Sequence, residues 1–326
     1  MRRRPSVGAC SRVPFADPRP AGHLTRGRLR GPAFRRLFED VYVGADVPVD
    51  LALRSRAAHL LVAGRGVLAG YSAAEILGAS CGPTDVPAEV TLPAGCLLRQ
   101  PDLRVHRGLL QPDEVTAVGA IGVTTRRRTA YDLARFAPSL VEAVVAVDAL
   151  ATPEPVERGG MPALRGLEPA PGGAFLPADL LILRNRHLGA RHSRRLPEVV
   201  RLADPLAESP METRTRLALV LHGLPTPVSQ LAVHHEGHCH YLDLGYREYR
   251  VGIEYDGEEH LTPERARRDL ERQHCLSTLG WTLVRPRAVP VPHQPRVVAV
   301  QVWRELNRAA ERLGLPKIPM DVAPRR

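Results

Sequence analysis

The sequence predicts an α/β protein of two domains, and three observations carry that prediction. The chain has 326 residues, enough for two separate cores. Helix-like and strand-like periods alternate on both sides of residues 151–173, where Pro, Gly and Glu accumulate without any period. After Asp204 the pattern runs helix, three strands, helix, strand. These signals divide the chain into a basic, disordered arm (1–23), a mixed α/β module (24–150), a linker (151–173), connecting helices (174–203), a second α/β domain (204–312) and a tail (313–326).

In the N-terminal half, Phe38 to Val43 alternates like a strand, and Leu51 to Ala63 carries Leu53, Ala57, Leu60 and Leu61 at helical spacing. Ser72 is read as the cap of a helix over Ala73 to Leu77, stopped by Gly78. Glu89 to Leu92, Leu103 to Arg107 and Ile121 to Thr124 are strand candidates. Thr125 would cap the next helix, and Leu140 to Leu150 forms an apolar one. Pro177 to Leu188 and Leu196 to Ala203 read as helices leading into the second domain.

That domain opens on Ser209-Pro210-Met211-Glu212, a capping serine, a proline at the first helical position and an acid in the first turn. Gly223 ends the helix. Pro227 to Val233, His240 to Gly245 and Val251 to Tyr255 then read as a meander, followed by a helix over Pro263 to Leu279, a Gly280 stop and a strand over Trp281 to Arg285. Asp243 and Glu254 fall on adjacent antiparallel strands, which can bring both carboxylates to one face.

Carboxylates gathered on a sheet repel one another unless a cation neutralises them, and oxygen-only ligands suit Mg²⁺ or Mn²⁺. Such an ion is what phosphodiester hydrolysis requires. A solvated acidic strand face paired with nearby arginines is the plainer reading of the same residues. His234, His235, His238, Cys239 and His240 crowd the first hairpin, where a Zn²⁺ or Ni²⁺ site and a polar turn are both open readings.

Composition limits the partners. Hydrophobic residues make up 44% of the chain, and no apolar run reaches the ~18 residues of a membrane span. The basic N-terminal stretch is not followed by the apolar core of a signal peptide, so a cytoplasmic location is expected. Five scattered cysteines (Cys10, Cys81, Cys96, Cys239, Cys275) form no CxxC pair and suggest reduced thiols. The net charge of +10 favours a polyanion such as DNA. Lys317 is the only lysine, and arginine in place of lysine is also what a GC-rich genome produces.

The ordered series SPMETRTRL, YLDLGY, VGIEYDGEEH and RRDLERQHCLSTLGWTLVR resembles the small nuclease domains of unknown function related to very-short-patch-repair endonucleases, in the PD-(D/E)XK, restriction-endonuclease-like superfamily. The resemblance spans Ser209 to Arg285 and implies an αβββαβ fold. It implies that Glu212 is the acid of the leading helix, Asp243 the metal-bridging aspartate and Glu254 the second carboxylate. Asp256 stands where many members have lysine, so Asp243, Glu254 and Asp256 would hold the metal. His260 would be the general base, a surface histidine at a helix start being the other reading. Asp269 with Arg272 and Arg285 is read as a structural ion pair.

In the N-terminal half, RGRLRGPAFRRLFEDVYVGAD, GVLAGYSAAEILGA and GVTTRRRTAYDLAR resemble the AbiEi antitoxins of type IV toxin–antitoxin systems. That resemblance implies an N-terminal winged helix for operator DNA and a nucleotidyltransferase toxin as partner. Gly22 to Arg36 supplies only one basic helix for it. Arg126 to Arg128 is read either as a phosphate contact or as an exposed cluster at a helix cap. The function expected is a metal-dependent endonuclease acting on DNA; the alternative is a non-catalytic regulator that binds DNA or a toxin through the retained nuclease fold. Strand preference and oligomeric state are left open by the sequence.

Overall fold

The computed structural model describes residues 11–12, 26–83, 85–151, 157–158, 161–162, 173–255, 263–286, 291 and 293–319, with the backbone alone at 11, 12, 26, 157, 158, 161, 162, 263–266, 268 and 269. The chain is mixed α/β and divides into two units: residues 1–136 with 167–196, and residues 137–166 with 197–326.

In the first unit, β1 (Ser11–Arg12), α1 (Arg26–Leu29), β2 (Phe34–Phe38) and β3 (Val41–Gly44) precede α2 (Leu51–Val62). The stretch Phe38 to Val43 is not one strand but spans a hairpin: Phe38 ends β2, Val41 to Val43 lie in β3, and between them Asp40 sits at φ 54 as the two strands pair antiparallel. Aspartate tolerates that left-handed conformation better than most residues. Ser11 and Arg12, within the arm read as disordered, pair with β3. α1 is a single turn of four residues.

Asp50 caps α2 by accepting the Leu53 N–H at 2.7 Å, and Leu53, Ala57 and Leu61 are buried on it. Then come β4 (Val67–Leu68), α3 (Gly70–Ile76), β5 (Ala88–Leu92), β6 (Leu103–Arg107), β7 (Val115–Val118), β8 (Ile121–Thr124) and α4 (Arg126–Phe136). The five-stranded sheet has the order β6-β5-β4-β8-β7, with β5–β6 and β4–β8 parallel. Ser72 is not a cap. It lies inside α3, fully buried, where its hydroxyl bonds Ser55 at 2.7 Å and accepts the Glu89 N–H at 2.9 Å.

Thr125 does cap α4, its hydroxyl accepting the Arg128 N–H at 3.3 Å. The Arg126–Arg128 cluster is not an exposed one at the helix cap, since two of its three side chains are buried. Arg126 donates to the Leu77 carbonyl at 3.1 Å and is 9% exposed, and Arg128 is 7% exposed between Glu114 and Asp132.

α5 (Leu140–Leu150), expected to close the N-terminal module, packs on α8 in the second unit. β9 (Glu157–Arg158) and β10 (Met161–Pro162) pair with each other; the rest of 152–172 lies outside the described residues. α6 (Asp179–Arg186) returns to the first unit and packs on α4.

The second unit continues with α7 (Leu196–Leu202), α8 (Pro210–Val220), β11 (Val228–His235), β12 (His238–Tyr246), β13 (Val251–Ile253), α9 (Pro263–Thr278), β14 (Thr282–Val284) and α10 (Pro295–Leu313). Its sheet has the order β11-β12-β13-β14, antiparallel except for the parallel β13–β14 pair. The α-β-β-β-α-β order expected from Ser209 onward is therefore present, and α10 is added to it. One apolar cluster joins Leu219, Leu244, Ile253 and Val284 to Val298, Val302 and Leu306 of α10, and a second joins Leu231, Val233 and Leu242 to Leu276 of α9. Among the described residues, no helix is long and apolar enough to cross a membrane.

Candidate functional site

Sheet register brings the acids together. The pairs Ser229↔Leu244 and Leu231↔Leu242 bracket Gln230 and Asp243, so these two lie opposite each other on β11 and β12. Leu244↔Ile253 leads in the same way to Asp243 beside Glu254, and Ile253↔Val284 leads to Glu254 beside Arg285. Gln230, Asp243, Glu254 and Arg285 thus form one row across four strands. The Tyr255 N–H donates to Asp243 Oδ2 at 3.1 Å and ties the end of β13 to β12.

Glu212 enters this row from α8. Ser209 caps that helix, its hydroxyl accepting the Glu212 N–H at 3.2 Å, and proline at the next position has no N–H to leave unpaired. Glu212 Oε2 accepts Gln230 Nε2 and the Glu208 N–H, both at 2.9 Å. Gln230 is 8% exposed with φ 50, a conformation that costs a non-glycine residue about 1–2 kcal/mol. Its amide is held there between Glu212 and the neighbouring strand.

The strand end is anchored from beneath. Ser229 donates to Asp204 Oδ2 at 2.6 Å, and the Asp204 N–H donates to Asp148 Oδ1 at 2.7 Å. Asp148, on α5, also accepts Thr213 at 2.9 Å and Arg216 at 2.8 Å from α8. Successive positions of α8 therefore serve two ends: Glu212 reaches the row, while Thr213 and Arg216 lock the helix to α5.

Electrostatics mark the cluster. Burial first, then the Glu212 and Glu254 carboxylates, push the Asp243 carboxyl up to about 6 against the Tyr255 hydrogen bond and the Arg272 charge. Glu212 is also raised, by burial. Glu254, 8% exposed, is neutralised by the protein itself: Arg272 Nη2 lies 2.5 Å from Oε1 and Arg285 Nη2 lies 3.1 Å from Oε2. Sequence reasoning pairs Arg272 and Arg285 with Asp269, but both arginines face Glu254; the Asp269 side chain lies outside the described residues, as do Asp256 and His260. Gln230 escapes sequence reasoning altogether. Its signal was an amide standing alone between Ser229 and Leu231 at the position facing Asp243.

The donor set of Asp243 and Glu254 is all oxygen, the kind a hard divalent cation takes, and a cation there would relieve the repulsion that helps to raise the Asp243 carboxyl. Among the described residues, no three His, Cys, Asp or Glu side chains are grouped so as to hold a metal ion. In the histidine-rich hairpin, Cys239 Sγ lies 3.9 Å from His234 Nε2. Burial and then the nearby Arg272 charge hold His240 below the usual imidazole range.

No family model matches the chain. Two proteins of Mycobacterium tuberculosis, from strains CDC 1551 and H37Rv, each described as uncharacterized, are 37% identical to it over 114 residues. The matched stretch covers 34% of this chain and 42% of each relative, so the chain spans less than half the length of the relatives it matches.

Proposed function

We propose that the second unit is a restriction-endonuclease-like domain of the patch-repair branch that hydrolyses phosphodiesters in DNA with Mg²⁺ or Mn²⁺. The observation that carries this reading is the convergence of Glu212, Asp243 and Glu254, from a helix and two neighbouring strands, on a site where burial and mutual repulsion raise the Asp243 carboxyl to about 6. A group so disposed binds a cation more readily than a lone surface acid. Asp243 and Glu254 would hold the ion, and Asp256 would join them. The bound ion supplies a polarised phosphoryl oxygen and a more acidic water. Gln230 orients Glu212, the Tyr255 N–H fixes Asp243, and Arg272 and Arg285 hold Glu254 while offering cations to a phosphate. His260 is the proposed base.

One observation favours a second reading. Glu254 is already balanced by two arginines, so the cluster can persist as a metal-free ion network in a regulator that binds DNA or a protein toxin. Calorimetric titration of Mg²⁺ and Mn²⁺ into the wild-type chain and Asp243→Ala separates the two. The enzyme reading expects a divalent site lost in the variant, together with metal-dependent cleavage of single-stranded or duplex DNA. Metal binding without cleavage, or no metal binding, leaves the regulator.

A further inference from the structure

We propose that the first unit carries a separate binding site for a small phosphate-bearing ligand, in the cavity walled by β6, α4 and the loop after α6. The cavity measures about 730 Å³, within the ~300–1,000 Å³ typical of small-molecule sites. Six basic side chains line it: His106, Arg107, Arg128, Arg135, His187 and Arg191. Asp132 is the only acid among the lining residues.

The wall is prearranged. His106 turns Nε2 to Glu89 at 2.5 Å and His187 turns Nε2 to Glu114 at 2.5 Å, and those carboxylates are 2% and 0% exposed. Each imidazole is thereby fixed in orientation from behind by a buried carboxylate. Glu114 stays below the ordinary glutamate range although burial alone would raise it, because His187, the Gln111 N–H and Arg128 all favour its charge.

Donors are in excess over acceptors. Asp132 accepts from Arg128 Nε at 2.8 Å and from Arg135 Nη2 at 2.6 Å. Arg135 Nε and the Tyr131 hydroxyl are buried without a hydrogen-bond partner among the described residues, a state that a bound acceptor would relieve. Arg107 and Arg191 are exposed and face no carboxylate among the described residues. Several guanidinium groups around one space suit the three oxygens and double charge of a phosphate better than a single carboxylate. Phe136, 43% exposed, and Leu109, 80% exposed, add an apolar strip for the organic part.

The proposal is independent of the nuclease reading, and so is its test. The probes are inorganic phosphate, pyrophosphate and the four nucleoside monophosphates, each titrated calorimetrically into the full chain, its Arg107→Ala/Arg191→Ala double variant and Asp243→Ala. Both arginines are exposed, so the double variant should keep the wild-type melting temperature. At least one probe should bind wild type and Asp243→Ala alike, and bind the double variant at least tenfold more weakly. Nucleotides binding more tightly than inorganic phosphate would place their organic part on the apolar strip; equal binding would assign the site to the phosphate group alone. No binding by any probe, unchanged affinity in the double variant, or loss of binding in Asp243→Ala would overturn the site.

Discussion

At the scale of single residues, Asp243 is the group whose chemistry most constrains function. Its carboxyl lies at about 6 in the folded chain, against an ordinary 3.8, so folded protein holds a proton that unfolded protein has already released. The stability this confers is full below pH ~4 and is lost as pH rises through about 6, where the carboxyl must ionise beside Glu212 and Glu254. Without divalent ion, Asp243→Asn should therefore melt higher than wild type at pH 8, with the gap closing towards pH 4. Asp148, also raised to about 6 by burial, titrates with the same sign in both proteins and leaves the difference intact. A wild-type chain that gains on the variant as pH rises would show that the carboxyl is not repelled. Arg216 gives a second test. It is 3% exposed against Asp148, and Arg216→Met should cost about 3–5 kcal/mol in denaturant unfolding by stranding a buried carboxylate. A loss below about 1 kcal/mol would mean that Asp148 is protonated and needs no partner. The adjacency of Asp243 and Glu254 was legible in the sequence because only a short hairpin separates their strands. Gln230, Arg272 and Arg285 were not legible as partners of those acids, because strand register and helix rotation, which decide who faces whom, are tertiary properties.

At the scale of elements, most of the second unit was legible because its boundaries are local. Ser209 and Pro210 start α8, Gly223 and Gly280 stop the two helices, and Gly280 adopts φ 76 as a helix-ending glycine does. Elements without local signals were missed. β4 has two residues and exists only by pairing with β5 and β8, and β7 is an edge strand of four. α10 is different, for its signals are local, Pro295 at its start and Gly314 at φ 68 past its end, but it lies beyond the αβββαβ pattern; it supplies Val298, Val302 and Leu306 to the core shared with α8 and β13. That makes α10 a structural part of the fold, and Leu306, 0% exposed, a sensitive probe of it. Leu306→Ala should destabilise the unit by about 2–5 kcal/mol. Chemical unfolding followed by the tryptophan signal checks this, since Trp303 packs against the same cluster. A loss under 1 kcal/mol would mean that α10 is a peripheral attachment. The left-handed Asp40 shows the converse failure, in which an apolar alternation concealed a turn.

At the scale of the whole molecule, the path of the chain differs from beads joined by a linker. A domain boundary inside 151–173 predicts that a cut there releases two fragments. The structure assigns α5, before the cut, to the second unit and α6, after it, to the first. α5 contributes Val144, Val145, Val147 and Leu150 as buried side chains, and its Asp148 holds Arg216 and Thr213 of α8. Glu142 adds a two-pronged pair to Arg214 at 2.7 and 2.8 Å. α6 buries Leu180 and Leu183, and beyond it His187 closes on Glu114. Each fragment thus retains a helix that belongs to the other fragment's core. A protease site placed between Gly166 and Leu167 should be cut without dissociation: the fragments should co-elute in native gel filtration, melt as the uncut chain does, and separate only in denaturant. Burial of the apolar 11-residue α5 in one exchange, and of Leu180 and Leu183 of the 8-residue α6 in the other, at about 1.5–3 kcal/mol per large side chain, is ample to hold them at micromolar concentration. Fragments that part in native buffer, each with its own melt, would restore the simpler division and would mean that α5 adds little to the unit in which Asp243 resides.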